Sequence, residues 1–355
     1  MNKIFFYMLK KYIIGFLLAA LVLLGVNLLL VFISELKNIG NHNYSFITLV
    51  NYIILLIPQN FLDIFPYALL IGSMISFGSM AYHSEFIAIN SHGIGIKKTI
   101  RIIIIQTFFI SSFLTIIANS LAPKYSNEAQ SMKNIALNKG LTNNSLWFRT
   151  GDYIINVNSI ITDKRLEDII IYRIENGLLS SVLSAEKGLY NIKWNFDNVE
   201  ILDISSNRKI KKENYSLPTN EFIPFEILKS QFSKKRYISI QNLYRNIIFH
   251  NKINIPYENH KVVFWKKILL PVSCCIIVFV ALPFLFTSMR STNQSQRIIV
   301  GVLFGITYFV ISSIVTNLGL ILSIPAFLSV LLSMGVFVFF GYFLFNLLVK
   351  RHIPI

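Results

Sequence analysis

Residues 12–33 read YIIGFLLAALVLLGVNLLLVFI, and no charged side chain stands between Lys11 and Glu35. At 1.5 Å per residue this run makes about 33 Å of helix, enough to cross the roughly 30 Å hydrocarbon core of a bilayer. Apolar runs of spanning length recur at 46–81, 102–122, 268–286, 298–321 and 324–349. The chain is 54% hydrophobic with a mean hydropathy of +0.58, above the range of soluble domains. The expectation is an integral membrane protein with six transmembrane helices. The first run is longer than a signal-peptide core and has no persuasive small-residue cleavage site before Glu35, so it reads as a retained span. The second run is too long for one straight crossing. Pro58, Asp63 and Pro66 interrupt it, and the roughly 27 Å of helix from Asp63 to Ala81 sets that acid near the outer interface, behind an interfacial lead-in.

Basic residues orient the spans. Lys3, Lys10 and Lys11 precede the first, and Lys97, Lys98 and Arg101 separate the second from the third. Arg290 and Arg297 separate the fourth from the fifth, and Lys350 and Arg351 end the chain. By the positive-inside rule these four sites share the cytoplasmic face, which places both termini there and residues 123–261 on the opposite side. A translocated block of that length is exempt from the charge count. Lys266 and Lys267, at the outer end of the fourth span, are the awkward pair. Of the seventeen acids only Glu35, Asp63 and Glu85 lie outside that block, and of those only Glu85 falls on the cytoplasmic side. The net charge of +16 resides beside spans or in a block of mixed charge, which points to anionic lipid and not to nucleic acid. The two cysteines, Cys274 and Cys275, are adjacent within a span and supply neither an ordinary disulfide nor a metal-ligand set.

Domains follow from the change of pattern: 1–122 with the first three spans, 123–261 as a water-soluble block, and 262–355 with the last three. From Leu146 onward short β-branched or alternating runs (153–157, 169–174, 178–183, 194–204) are broken by turn residues, as in an all-β domain of eight or more strands with a sandwich or jelly-roll core. Helical segments at 124–139 and 240–249 link this domain to the spans. His250 and His260 have no third ligand nearby, so no metal is expected.

Little in the chain can do covalent chemistry. The segment Gly93-Ile94-Gly95-Ile96-Lys97-Lys98-Thr99 faintly echoes a phosphate-binding loop but lacks the G-x-x-x-x-G-K-[ST] spacing and the strand before it. No nucleophile elbow, zinc-protease helix or paired carboxylates occur. The stretch 82–93, YHSEFIAINSHG, is more specific. Phe86, Ile87 and Ile89 beside Glu85, with a closing glycine, fit a short amphipathic helix at the membrane surface. That helix can float at the interface, or it can dock in a partner's basic groove, since a lone acid on a basic face is repelled by anionic lipid. The residues alone leave both open.

Five local patterns in order resemble the LptF/LptG permease family of the lipopolysaccharide exporter. They are Ser34-Glu35-Leu36-Lys37-Asn38-Ile39-Gly40, Ile64-Phe65-Pro66, Ser84-Glu85, Leu121-Ala122-Pro123 and Ile324-Pro325. The resemblance covers essentially the whole chain and is nearer the LptG branch than the LptF branch. It implies a periplasmic β-jelly-roll between two sets of three spans, in the inner membrane of a Gram-negative bacterium. It also implies a heterodimer with LptF, a dimer of the ATPase LptB below, and LptC with a periplasmic bridge protein above. The cargo is lipopolysaccharide. ATP and Mg belong to the ATPase, with no cofactor and no catalytic residue in this chain. The loop between spans two and three then becomes the coupling helix, with Glu85, Ser84, His83, Phe86, Ile87 and Ile89 as contacts to the ATPase. Lys37 and Lys133 become head-group contacts, with Val31 and Gln130 standing where basic residues are expected. The first and fifth spans would line the lipid cavity. Two other classes stay open: a permease of another exporter for lipoprotein release or mechanotransmission, which typically arranges four spans, and a membrane scaffold or receptor that moves no lipid.

Overall fold

A backbone in hydrocarbon satisfies its own N–H and C=O groups as helix, and the apolar runs are helical. The computed structural model describes residues 2–138, 146–150, 152–162, 165–175, 178–190, 194–204, 208–217, 237–253, 258–286 and 294–348. Helices α1 (Asn2–Leu36), α2 (Phe46–Tyr82), α3 (Glu85–Ser91) and α4 (Ile96–Ala136) precede six strands. The strands are β1 (Leu146–Thr150), β2 (Tyr153–Thr162), β3 (Arg165–Glu175), β4 (Leu178–Tyr190), β5 (Trp194–Asp203) and β6 (Arg208–Leu217). Helices α5 (Ile240–Ile253), α6 (Glu258–Ile268), α7 (Leu270–Ala281), α8 (Pro283–Phe286), α9 (Gln294–Ile321) and α10 (Ala326–Leu348) follow. Among the described residues five helices are long and apolar enough to cross a membrane, or up to six if the pair Glu258–Ile268 and Leu270–Leu285, bent by 64°, is one span. Either count exceeds the four of the alternative exporter class.

Three spans differ from expectation, each at a proline. Helix α2 runs unbroken through Pro58 and Pro66, and α4 continues through Pro123, merging the third span with the linker helix expected at 124–139. A proline removes one N–H, which a helix packed among others tolerates. The fourth span instead bends beside Pro271, at the start of α7.

The chain forms two compact units. The first comprises Met1–Val31, Ile57–Ala122 and Glu258–Ile355. Its core includes Met8, Tyr12, Phe65, Met74, Phe77 and Leu285. Helices α1 and α2 cross at glycines: a Cβ on Gly72 would lie 2.6 Å from the Phe16 backbone, and one on Gly15 would lie 2.7 Å from the Gly72 carbonyl oxygen. Without a hydrophobic drive between helices in lipid, such close backbone approach supplies the packing. Two hydrogen bonds secure the crossing, from Ser76 Oγ to the Lys11 carbonyl (2.7 Å) and from the Tyr12 hydroxyl to the Leu69 carbonyl (3.2 Å).

The second unit comprises Phe32–Leu56 and Pro123–Tyr257. Its strands form one antiparallel sheet in the order β1-β2-β3-β4-β5-β6. Neighbours in space are neighbours in sequence throughout, so the described strands make a meander without the crossover that defines a jelly roll. Residues 218–236 lie outside the described residues. One face of the sheet is the core, with Ile155, Val157, Ile171, Leu183, Trp194 and Phe196. The inward parity changes along a line across three strands: Leu166 to Ile169 in β3, Ala185 to Gly188 in β4, and Phe196 to Val199 in β5 are buried at spacings of three. Asp168 (φ 52°) and Asn198 (φ 52°) make the change by adopting the left-handed conformation, which these two residue types tolerate. Asn198 donates to Glu186 Oε2 (2.9 Å) across that line. At the β6 edge, Lys209 (2.7 Å) and Lys211 (2.8 Å) flank Glu200 and lower its carboxyl pKa to about 2.

Candidate functional site

The segment between α2 and α4 is short and sharply bounded. Ser84 precedes α3 in the left-handed region (φ 57°), and Gly93 (φ 81°) ends it, with Gly93 N–H on the Asn90 carbonyl and Ile94 N–H on the Ile89 carbonyl. This is the glycine stop expected after a surface helix. Phe86 and Ile89 are buried in the core of the first unit, beside Met80 and Ile94, whereas Ile87 is 53% exposed. His83 and Ser84 are exposed. The expected coupling set therefore divides: Phe86 and Ile89 anchor α3 to its own chain, while His83, Ser84 and Ile87 face outward.

Glu85 is placed otherwise than sequence reasoning assumed. Lys11 Nζ donates to its Oε1 at 2.5 Å and the Tyr7 hydroxyl to its Oε2 at 2.9 Å, and the Lys11 ammonium lies 4.8 Å from the Tyr7 ring centroid. The Glu85 side chain is 24% exposed, so the contact is partly desolvated and stabilises by on the order of 1 kcal/mol. Its carboxylate is engaged within the chain. Lys11 and Tyr7 were missed because Lys11 reads as a topology anchor. The available signal was their spacing of four, which puts both on one face of α1.

The head-group candidates also separate. Lys133 Nζ lies 2.5 Å from Glu35 Oε1 and 5.1 Å from the Tyr52 ring centroid. Glu35 Oε2 accepts from Asn38 Nδ2 (2.8 Å) and the Tyr44 hydroxyl (3.4 Å). Burial, then the Glu35 charge, pushes the Tyr44 hydroxyl up to about 12, so it stays a donor. Lys133 is thus paired inside a network that the head-group reading did not anticipate. Lys37 is exposed in the turn after α1 and takes no part in these hydrogen bonds. Val31 and Gln130 are half-buried, and Gln130 donates to Asn134.

Among the described residues no group of three or more His, Cys, Asp or Glu is arranged to hold a metal ion. His260 is buried, and the side chain of His250 lies outside the described residues. Asp63, half-buried, accepts from Gln59 Nε2 (3.2 Å) and acts electrostatically on Lys267. Lys266 donates to Thr316 Oγ1 (2.9 Å). The awkward lysines at the outer end of the fourth span thus have partners within the first unit.

Residues 6–347 match the profile of the family described as "Lipopolysaccharide export system permease LptF/LptG". The chain belongs to the LptF/LptG family. Its similarity extends to LptG of Haemophilus influenzae, 26% identical over 337 residues, covering 92% of this chain and 94% of that protein. LptG of Escherichia coli strain K12 is 24% identical over 318 residues, covering 86% and 87%. Both are named lipopolysaccharide export system permease proteins. As an LptF/LptG family member the chain is a multi-pass membrane permease subunit.

Proposed function

We propose that this chain is the LptG-type subunit of a lipopolysaccharide exporter in a bacterial inner membrane, pairing with an LptF subunit. The observation that carries the reading is the family match across 6–347, which takes in both sets of spans, the β domain and the segment around α3. Termini and α3 face the cytoplasm, the β domain faces the periplasm, and lipid leaves the outer leaflet towards LptC and the bridge protein. A periplasmic jelly roll would give the lipid's acyl chains a sheltered path. The chain hydrolyses nothing; an LptB dimer uses ATP and Mg. The outward face of α3, His83, Ser84 and Ile87, is the surface offered to that ATPase, and exposed Lys97 and Lys98 flank it. Lys37 remains an exposed cation for lipid phosphate, whereas Lys133 reaches one only by leaving Glu35.

The test uses Ile87→Asp, because Ile87 is exposed and its replacement leaves the buried anchors in place. In nanodiscs with the second permease chain, wild type should co-purify with the ATPase and show hydrolysis altered by lipopolysaccharide. Ile87→Asp should lose ATPase recruitment by about tenfold or more while keeping its melting temperature. A wild-type complex that recruits no ATPase would favour the scaffold reading instead.

A further inference from the structure

Glycines make helix contacts in the first unit. Besides the Gly15–Gly72 crossing, a Cβ on Gly319 of α9 would lie 2.6 Å from the Ser329 Cβ of α10, and one on Gly341 of α10 would lie 3.0 Å from the Phe279 ring of α7. Gly335, on the same helix as Gly341, has the opposite surroundings: a Cβ there would meet nothing within 4 Å. A groove of about 610 Å³ opens at that point between α7 and α10. Buried Ile276 and Met334 form its floor with Gly335, and its sides come from Val272 on α7 and from Leu331 and Val338 on α10.

The one polar side-chain group among the lining residues is the Tyr342 hydroxyl. Water finds no partners in such a space, and an empty groove would forfeit the dispersion contacts of its walls. Helix α10 is a candidate span and α7 belongs to the bent pair that makes another, so the groove faces hydrocarbon. Hydrocarbon supplies two occupants, a further apolar helix or an acyl chain. A helix is about 10–12 Å wide and packs in lipid by close backbone approach at small residues. Here the rim is bulky, with Phe339 and Tyr342 exposed on it. The groove also follows α10 only from Leu331 to Tyr342, about 16 Å of helix and roughly half of what a spanning partner covers. An acyl chain is narrow, bends between bulky rims and ends where the groove ends. One turn before Leu331 on α10, Phe327 packs against Trp265 of α6 with ring centroids 4.6 Å apart, an aromatic pair of the kind that sits at head-group level.

We infer that the groove between α7 and α10 is a site for one acyl chain of a bilayer glycerophospholipid, held as part of the folded subunit. This lipid is distinct from the cargo, because neither wall is the first or the fifth span, the two for which the family resemblance implies a cavity lining.

The test uses nanodiscs that hold the chain with its second permease chain and contain phosphatidylglycerol with a photoreactive group midway along one acyl chain. After irradiation, peptide mass spectrometry should find cross-links at buried Ile276 and Met334 about fivefold above those at Ile116, which is 72% exposed on α4. Gly335→Phe and Val272→Trp fill the groove from opposite walls, and each should lower its labelling about tenfold while Ile116 labelling and the melting temperature stay as in wild type. Added lipopolysaccharide should leave the labelling unchanged. Cross-links that follow exposure alone, with Ile276 and Met334 below Ile116, overturn the site, as does full labelling in both filled variants. Displacement by lipopolysaccharide would overturn it too, since the groove would then belong to the cargo. The readout needs neither ATP nor transport, so it stands apart from the exporter reading.

Discussion

Glu35 and Lys133 show how a residue's environment overrides its type. A lysine near a membrane boundary reads as a phosphate contact or as a solvated anchor, but here its side chain is 17% exposed and lies against a carboxylate that is 11% exposed. Removing one partner strands the other charge in a partly dry site, which costs more than the pair contributes. Lys133→Ala should therefore lower stability by about 1–3 kcal/mol in thermal unfolding of the purified chain, and adding Glu35→Gln should restore part of it. An unchanged melting temperature in Lys133→Ala would show the pair to be idle. Neither residue announces its partner in the sequence: they are 98 positions apart, on α1 and α4. The same holds for Lys11 and Glu85, 74 apart.

Helices carry the next level of constraint. Phe86, Ile87 and Ile89 beside Glu85, and the glycine after them, made α3 legible as amphipathic, but not which apolar residues would turn inward. Phe86 and Ile89 did and Ile87 did not, because a spacing of three returns to the same helix face and a spacing of one does not. Between α1 and α2 the decisive residues are those with no side chain. Gly72→Val should force the helices apart, because the new Cβ meets backbone and not a movable side chain, and should cost about 3 kcal/mol or more. Gly25→Ala, where a Cβ meets nothing within 4 Å, should leave the melting temperature unchanged or slightly raised. A comparison of the two variants in detergent checks both.

For the whole molecule, the topology has a direct readout. A membrane-impermeant maleimide applied to spheroplasts should label Leu178→Cys, 75% exposed on the β domain, and should label Ile87→Cys only after permeabilisation. Labelling of both without permeabilisation would overturn the assigned orientation. The membrane class, the β block and the segment around α3 were all readable from composition and period, because hydrocarbon and water impose them on every chain alike. The sequence by itself determined which stretches cross and which fold in water. Only the tertiary structure decided that prolines 58, 66 and 123 leave their helices whole while the span beside Pro271 bends, that the described strands form a meander, and that Glu35 and Glu85 each meet a distant lysine. Those outcomes depend on packing partners and on donors far away in the chain, and local pattern carries no information about either.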